Sequence, residues 1–156
     1  NGDDGLTIAN GSLAPGSSPG LLSVAGSMTL GPNSTTTLEL AGTEPGNEFD
    51  ALEVGGTLTL DGTLDLLLID SFTPQAGDEF VLMQAAAIQG DFDAVTLPSI
   101  DGLSFQLDKT GSRLVLSVET ESVQSSSSSG GAVSWLWLCV MLWLMASLRI
   151  RRNASL

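Results

Sequence analysis

An internal repeat is the feature of this sequence that most constrains its fold. Residues 23–31 read SVAGSMTLG and residues 53–61 read EVGGTLTLD, so a Val, a Gly, an apolar residue and a Leu recur 30 positions apart. Each copy is followed by a second short segment, TLEL at residues 37–40 and TLDL at residues 63–66, for which the offset falls to 26. Such repeats are typical of stacked β-units, although two similar hairpins in a β-sandwich would give the same self-similarity.

The apolar residues of the repeat keep an even register, and strand residues two apart share one face of a sheet. A two-residue hairpin turn at Asp61-Gly62 would put the flanking leucines on both faces of a sheet. A three-residue loop or a corner between successive strands would keep them on one face. We therefore predict an inward face that includes nine apolar residues of both copies: Val24, Met28, Leu30, Val54, Leu58, Leu60, Leu64, Leu66 and Leu68.

The segment after the repeat also has the pattern of β-structure. We predict a strand at residues 79–83, then a small apolar stretch, then a short strand near residues 92–95. An amphipathic hairpin follows, with a loop at Thr110-Gly111, and it would cap the end of an open sheet. The apolar residues expected to face one another in this hairpin are Phe105 and Leu107 on one strand and Leu114, Leu116 and Val118 on the other.

Several phrases of residues 11–118 resemble one family when they are taken together. They are SLAPGSSPGLLSVAGSMTLGPNSTTTLEL, FDALEVGGTLTLDGTLDLLLIDSFTPQAGDEFVLM and IQGDFDAVTLP. They resemble the C-terminal β-repeat region of large bacterial surface proteins of the autotransporter-adhesin type. The resemblance implies an all-β body over residues 1–121, folded as a right-handed parallel β-solenoid with a C-terminal capping hairpin. A β-sandwich is the alternative.

The end of the chain resembles a different element, the GlyGly-CTERM sorting signal. A serine run at residues 125–129 precedes Gly130 and Gly131, an uncharged apolar segment follows, and three arginines stand near the end, Arg149, Arg151 and Arg152. The resemblance implies an exported protein of a Gram-negative bacterium. A rhomboid-like intramembrane protease, or rhombosortase, would cut the tail near the glycine pair before display or release through the type II secretion machinery.

The physical properties of the tail predict the same topology. Residues 132–148 are 17 residues without a charge, at the short end of what spans a bilayer, and arginines beyond them favour the cytoplasmic side. We predict an extracytoplasmic body (1–121), a disordered Ser/Gly linker with the processing site (122–131), one transmembrane helix (132–148) and a basic cytoplasmic tail (149–156). Such a chain is a single-pass inner-membrane precursor that later reaches the cell surface or the medium. A permanent tail anchor on a flexible stalk is the alternative.

The charge and composition of the body exclude several functions. All 18 acidic residues lie within residues 3–121, opposed there by Lys109 and Arg113 alone, so this part will be repelled by nucleic acid. The chain has no histidine, which removes Ser-His-Asp and Cys-His catalysis and histidine-bound zinc. A single cysteine, Cys139, permits no intrachain disulfide. We expect the body not to be an enzyme.

Acidic residues supply the remaining candidate sites. Asp3 and Asp4 are candidate calcium ligands, because carboxylate oxygens suit that ion, and no other cofactor is expected. Pairs such as Asp61 with Asp65, or Asp91 with Asp93, could serve a glycosidase, but solvated turns are the favoured explanation.

The sequence leads to two functional hypotheses of different classes. The first is a structural or adhesive C-terminal module of a surface-sorted bacterial protein, whose cell-surface or glycan ligand is unknown. The second is an accessory C-terminal domain of a secreted hydrolase whose catalytic domain lies upstream. More β-repeats upstream would favour the first, and a histidine-bearing catalytic motif upstream would favour the second.

Overall fold

A computed structural model of the protein describes residues 5–15 and 19–121. These residues form an all-β fold in which the strands make one curled sheet. In chain order the strands are β1 (Leu6–Leu13), β2 (Leu21–Val24), β3 (Met28–Leu40), β4 (Ala51–Leu60), β5 (Thr63–Leu68), β6 (Glu79–Gly90), β7 (Ala94–Thr96), β8 (Leu103–Lys109) and β9 (Arg113–Thr120).

Strands β1 to β7 pair in parallel with strands that lie one repeat away along the chain. In the middle of the sheet, Leu21 of β2 pairs with Ala51 of β4, and Met28 of β3 pairs with Leu58 of β4, both 30 residues apart. Strand β4 then pairs with β6, β3 with β5, and β5 with β7, all in parallel. The two copies of the first repeat segment therefore lie side by side, as predicted.

The second repeat segment pairs at a different offset from the one that its sequence indicates. Matching TLEL with TLDL would align Leu38 with Leu64, 26 residues on, whereas the sheet pairs Leu38 with Leu66 and Leu40 with Leu68. The two registers differ by two residues, so each leucine keeps its face of the sheet. The offset of 26 was wrong, and the inward face was unaffected.

The residues Asp61 and Gly62 form a corner and not a hairpin. Strands β4 and β5 flank this pair but are not neighbours in the sheet: β5 lies between β7 and β3, and β4 lies between β3 and β6. The corner directs the chain from one part of the curled sheet to the next. Of the two arrangements that keep the leucines on one face, the structure has the corner.

The inward face was predicted closely. Seven of the nine predicted residues are buried, and two are half-buried, Val24 on the short strand β2 and Leu68 at the end of β5. Phe80 on β6 is fully buried and contacts two other rings edge to face, with centroid distances of 5.3 Å to Phe49 and 6.2 Å to Phe72. Full burial of a large apolar side chain is worth about 1.5–3 kcal/mol.

The C-terminal hairpin has the predicted pairing. Strands β8 and β9 are antiparallel, with Phe105 opposite Val118 and Leu107 opposite Leu116. Strand β9 also pairs antiparallel with β6, where Leu116 lies opposite Phe80. The direction of pairing thus changes from parallel to antiparallel at β6.

Two strands differ from their predicted limits. The predicted strand at residues 79–83 continues through the small apolar stretch to Gly90, because this stretch pairs with β4, where Ala85 meets Val54 and Ala87 meets Thr57. The pairing outweighs the preference of alanine for helix. Strand β7 covers Ala94–Thr96, slightly after the predicted residues 92–95.

Candidate functional site

The residues predicted from the sequence as sites all lie outside the described residues. They are the calcium candidates Asp3 and Asp4, the processing residues Gly130 and Gly131, and the topology residues Arg149, Arg151 and Arg152. These assignments stay predictions. Among the described residues no helix is long and apolar enough to cross a membrane, and the predicted helix at 132–148 belongs to the other part of the chain.

The acidic pairs named from the sequence do not gather into a metal site. Asp91 forms an ion pair with Lys109, and Asp61 accepts a hydrogen bond from the N–H of Gly62 at 2.8 Å. Within residues 5–15 and 19–121, no group of three acidic, cysteine or histidine side chains is placed to hold a metal ion. The carboxylates at the corners therefore act locally, on their own turn or on the neighbouring hairpin.

A groove crosses three adjacent strands on the exposed face of the sheet. It has a volume of about 550 Å³ and is lined by residues 23–25 of β2 and the turn after it, 53–55 of β4 and 84–86 of β6. A second depression of about 290 Å³ adjoins it, shares Glu53 and Gln84 with it, and extends to Arg113 on β9. The two depressions together span four neighbouring strands.

A row of polar side chains runs along these depressions. Each member is paired in the sheet with the next: Ser23 with Glu53, Glu53 with Gln84, and Gln84 with Arg113. We call these four residues the polar ladder. All four are exposed, and no hydrogen bond or ion pair joins their side chains to another described group.

The floor of the groove is low because it carries almost no side chain. Ala25, Gly55 and Ala86 occupy equivalent places on the three segments. A Cβ atom on Gly55 would lie 2.3 Å from the carbonyl oxygen of Ala25, so close packing of the neighbouring segment requires glycine there. The same packing that excludes a side chain keeps the groove open.

The sequence carried only part of the signal for this groove. Ser23 and Glu53 stand at the same place in the two repeat copies, SVAG and EVGG. Gln84 and Arg113 belong to segments without visible repeat character. They join the ladder through the pairing of β6 with its two neighbours, which the sequence alone did not specify.

A second notable group is the buried carboxylate of Asp50, which joins three strands. Asp50 is 1% exposed, and it accepts hydrogen bonds from the N–H of Gly20 at 2.6 Å and from the N–H of Glu39 at 2.9 Å. Its own N–H donates to the carbonyl of Glu39 at 2.8 Å. Burial raises the pKa of Asp50, the two backbone donors lower it, and the nearby carboxylate of Glu39 raises it again, so that the net direction is upward.

The first strands of the sheet have an open side. Strand β1 pairs only with β3 and strand β2 only with β4 among the described strands, so each has one side without a ladder partner there. Leu6 on β1 and Leu21 on β2 are 41% and 48% exposed, although Leu6 pairs with Met28, which is buried. An apolar inward position is thus left partly uncovered at this end.

Comparison with known proteins gives one informative match. No family model matches the chain. A segment of 64 residues, 39% of the chain, is 44% identical to an autotransporter adhesin, "Adhesin BmaC autotransporter", of Brucella suis biovar 1 (strain 1330). The match covers 2% of that protein, so the chain spans a very small part of its length. The similarity indicates an adhesin-like surface protein.

We predict that Asp50→Asn destabilises the fold, and that the penalty depends on pH. An amide has one acceptor oxygen, so one buried backbone N–H loses its partner, at a cost of about 1–3 kcal/mol. A raised folded-state pKa adds stability that is fully present below the unfolded pKa of 3.8 and is lost as the pH rises through the folded pKa. The penalty of Asp50→Asn is therefore greater near about pH 4 than near about pH 7.

Urea unfolding of the wild-type chain and the variant at both pH values measures this difference. The exposed Asp101→Asn is the matched control and should change the free energy of unfolding little at either pH. A penalty for Asp50→Asn that grows as the pH rises would contradict the prediction.

Proposed function

We propose that this chain is the C-terminal structural and adhesive module of an exported bacterial surface protein. Its body is a right-handed parallel β-solenoid that continues upstream and is closed at its C-terminal end by the β8–β9 hairpin. The observation that carries this proposal is the difference between the two ends of the sheet. At one end β1 and β2 leave edges and half-exposed leucines, and at the other end the pairing turns antiparallel.

The parallel pairing supports the solenoid. Strands one repeat apart pair in register across β2, β4 and β6, and again across β3, β5 and β7, as successive turns of a solenoid would. The right hand follows from the general preference of crossover connections between parallel strands. An antiparallel hairpin ends such a stack because its outer strand does not present the edge that a further parallel turn requires.

The similarity to an autotransporter adhesin supports the cell-surface location and the adhesive role. The matched protein is many times longer than this chain, which agrees with a body that forms one end of a longer repeat array. We propose no catalytic activity for the body itself. The absence of histidine in the sequence is consistent with this proposal.

The tail completes the proposal. Residues 122–156 act as a sorting signal, with Gly130 and Gly131 near the cleavage site of a rhomboid-like protease and Arg149, Arg151 and Arg152 holding the end in the cytoplasm. The chain then passes through the inner membrane as a transient single-pass precursor, and the type II secretion machinery exports it.

The open edge gives the first test of the proposal. Extending the chain upstream by about 30 residues of its natural precursor should add one turn of the solenoid. Amide hydrogen exchange should then slow along β1 and β2, because their outer N–H groups gain partners, while exchange in β8 stays unchanged. Unchanged exchange in β1 and β2, or an upstream segment that carries a histidine-bearing catalytic motif, would argue against the adhesive module and for the hydrolase accessory domain.

Processing gives the second test. Changing Gly130 and Gly131 to Leu should leave a larger, membrane-retained protein, since leucine favours helix where local unwinding is needed for cleavage. Changing Ser127 and Ser128 to Leu is the control: it also adds apolar residues but keeps the glycine pair, and it should be cleaved normally. Intact mass spectrometry of the mature protein from its native host measures both. A wild-type mass that still includes residues 135–156 would leave the permanent anchor as the explanation.

A further inference from the structure

We propose that the groove across β2, β4, β6 and β9 binds a neutral oligosaccharide chain through the polar ladder of Ser23, Glu53, Gln84 and Arg113. The proposal names a ligand class for the adhesive role proposed above, and it rests on that role. The groove is a surface of the body alone and does not depend on how the tail is processed.

The ladder has the hydrogen-bonding capacity that a polyhydroxylated chain requires. The hydroxyl of Ser23 and the amide of Gln84 can both donate and accept, the carboxylate of Glu53 accepts, and the guanidinium of Arg113 donates. Neighbouring strands lie about 4.8 Å apart, so the four positions extend over about 14 Å in a line across the strands. A chain of sugars presents hydroxyl groups that donate and accept at similar intervals along its length.

The ladder is available for a ligand. The four side chains are exposed, and no internal hydrogen bond or ion pair among the described groups has to be broken before they bind. The other basic side chain of the body, Lys109, is engaged by Asp91 and by the carbonyl of Gly90. Arg113 thus differs from Lys109 in having its charged group uncommitted within the described part of the chain.

The shape of the groove suits a chain that lies across the strands. Its volume of about 550 Å³ falls within the range of small-molecule sites, and the adjoining depression of about 290 Å³ prolongs it toward Arg113. The floor of Ala25, Gly55 and Ala86 lets the C–H face of a sugar ring approach the backbone while the hydroxyls reach the ladder. No aromatic ring lines either depression, so we expect weak binding by a single groove.

Charge decides the class of glycan. The body has a large excess of acidic residues, and Glu53 lies in the middle of the ladder, so an anionic polysaccharide would be repelled. Arg113 at the end of the ladder disfavours a cationic chain in the same place. A neutral chain satisfies both groups through hydrogen bonds.

The test is a titration of the ¹⁵N-labelled full chain, in detergent micelles, with defined hexasaccharides. The neutral probes are β-1,4-linked hexamers of glucose and of N-acetylglucosamine, and a hexamer of galacturonic acid is the anionic probe. At least one neutral hexamer should shift the amide signals of residues 23–25, 53–55, 84–86 and 113. Glu53→Ala and Gln84→Ala should each weaken this binding about tenfold, because each removes hydrogen bonds to the ligand.

Glu119→Ala is the matched control, since it removes an exposed carboxylate on β9 away from the groove, and it should bind like the wild type. Urea unfolding confirms that each variant folds. Three results would overturn the proposal: no groove shifts with either neutral hexamer up to about 10 mM, tighter binding of the galacturonate hexamer, or an equal loss in Glu119→Ala. Such results would leave edge extension and tail processing unaffected, so a failure of the groove is distinguishable from a failure of the surface-module proposal.

Discussion

Parallel, in-register stacking of inward apolar side chains is the interaction on which the rest of this structure depends. Met28, Leu58 and Ile88 follow one another across β3, β4 and β6, and each is buried. Because side chains alternate along a strand, a slip of one residue in any pair would turn a whole set of leucines toward solvent. Each fully buried leucine is worth about 1.5–3 kcal/mol, so the stacked set fixes the register strongly. The same register places Ser23, Glu53 and Gln84 in one exposed row, and the groove is therefore a consequence of the core.

Stacking also requires that the chain turn corners without leaving buried backbone groups unpaired, and two residues show how this is done. Gly62 has a φ of 72°, and a Cβ atom there would lie 2.4 Å from the carbonyl oxygen of Ser34. Its own carbonyl accepts the N–H of Asp93 at 2.7 Å, which links one corner to the next. Asp50 does the corresponding task inside the sheet, because its carboxylate accepts the N–H groups of Gly20 and Glu39 from two other segments. A buried carboxylate costs solvation, and the backbone donors offset part of that cost.

Local pattern predicted much of the fold, and long-range pairing accounts for what it missed. The even register of the leucines predicted the inward face, because burial on one face of a strand leaves a period of two in the sequence. It did not distinguish offsets of 26 and 28 for Leu38, since both keep the same parity. The strand status of residues 84–90 and the joining of Gln84 to Arg113 arise from partners distant in sequence, which no local pattern encodes. Asp50 looked like one more turn carboxylate, and only its burial between three strands sets it apart.

The functional account follows from a stack that is open at one end and closed by an antiparallel hairpin at the other, so its central claim is the parallel register itself. The most direct measurement is the set of interstrand nuclear Overhauser effects in the isotopically labelled chain. The account predicts effects between the backbone protons of Thr29 and Thr59, and between those of Leu58 and Ile88, in the parallel pattern. Effects that instead join Leu60 to Leu64 and Leu58 to Leu66 in antiparallel order would show a local hairpin, and would contradict it.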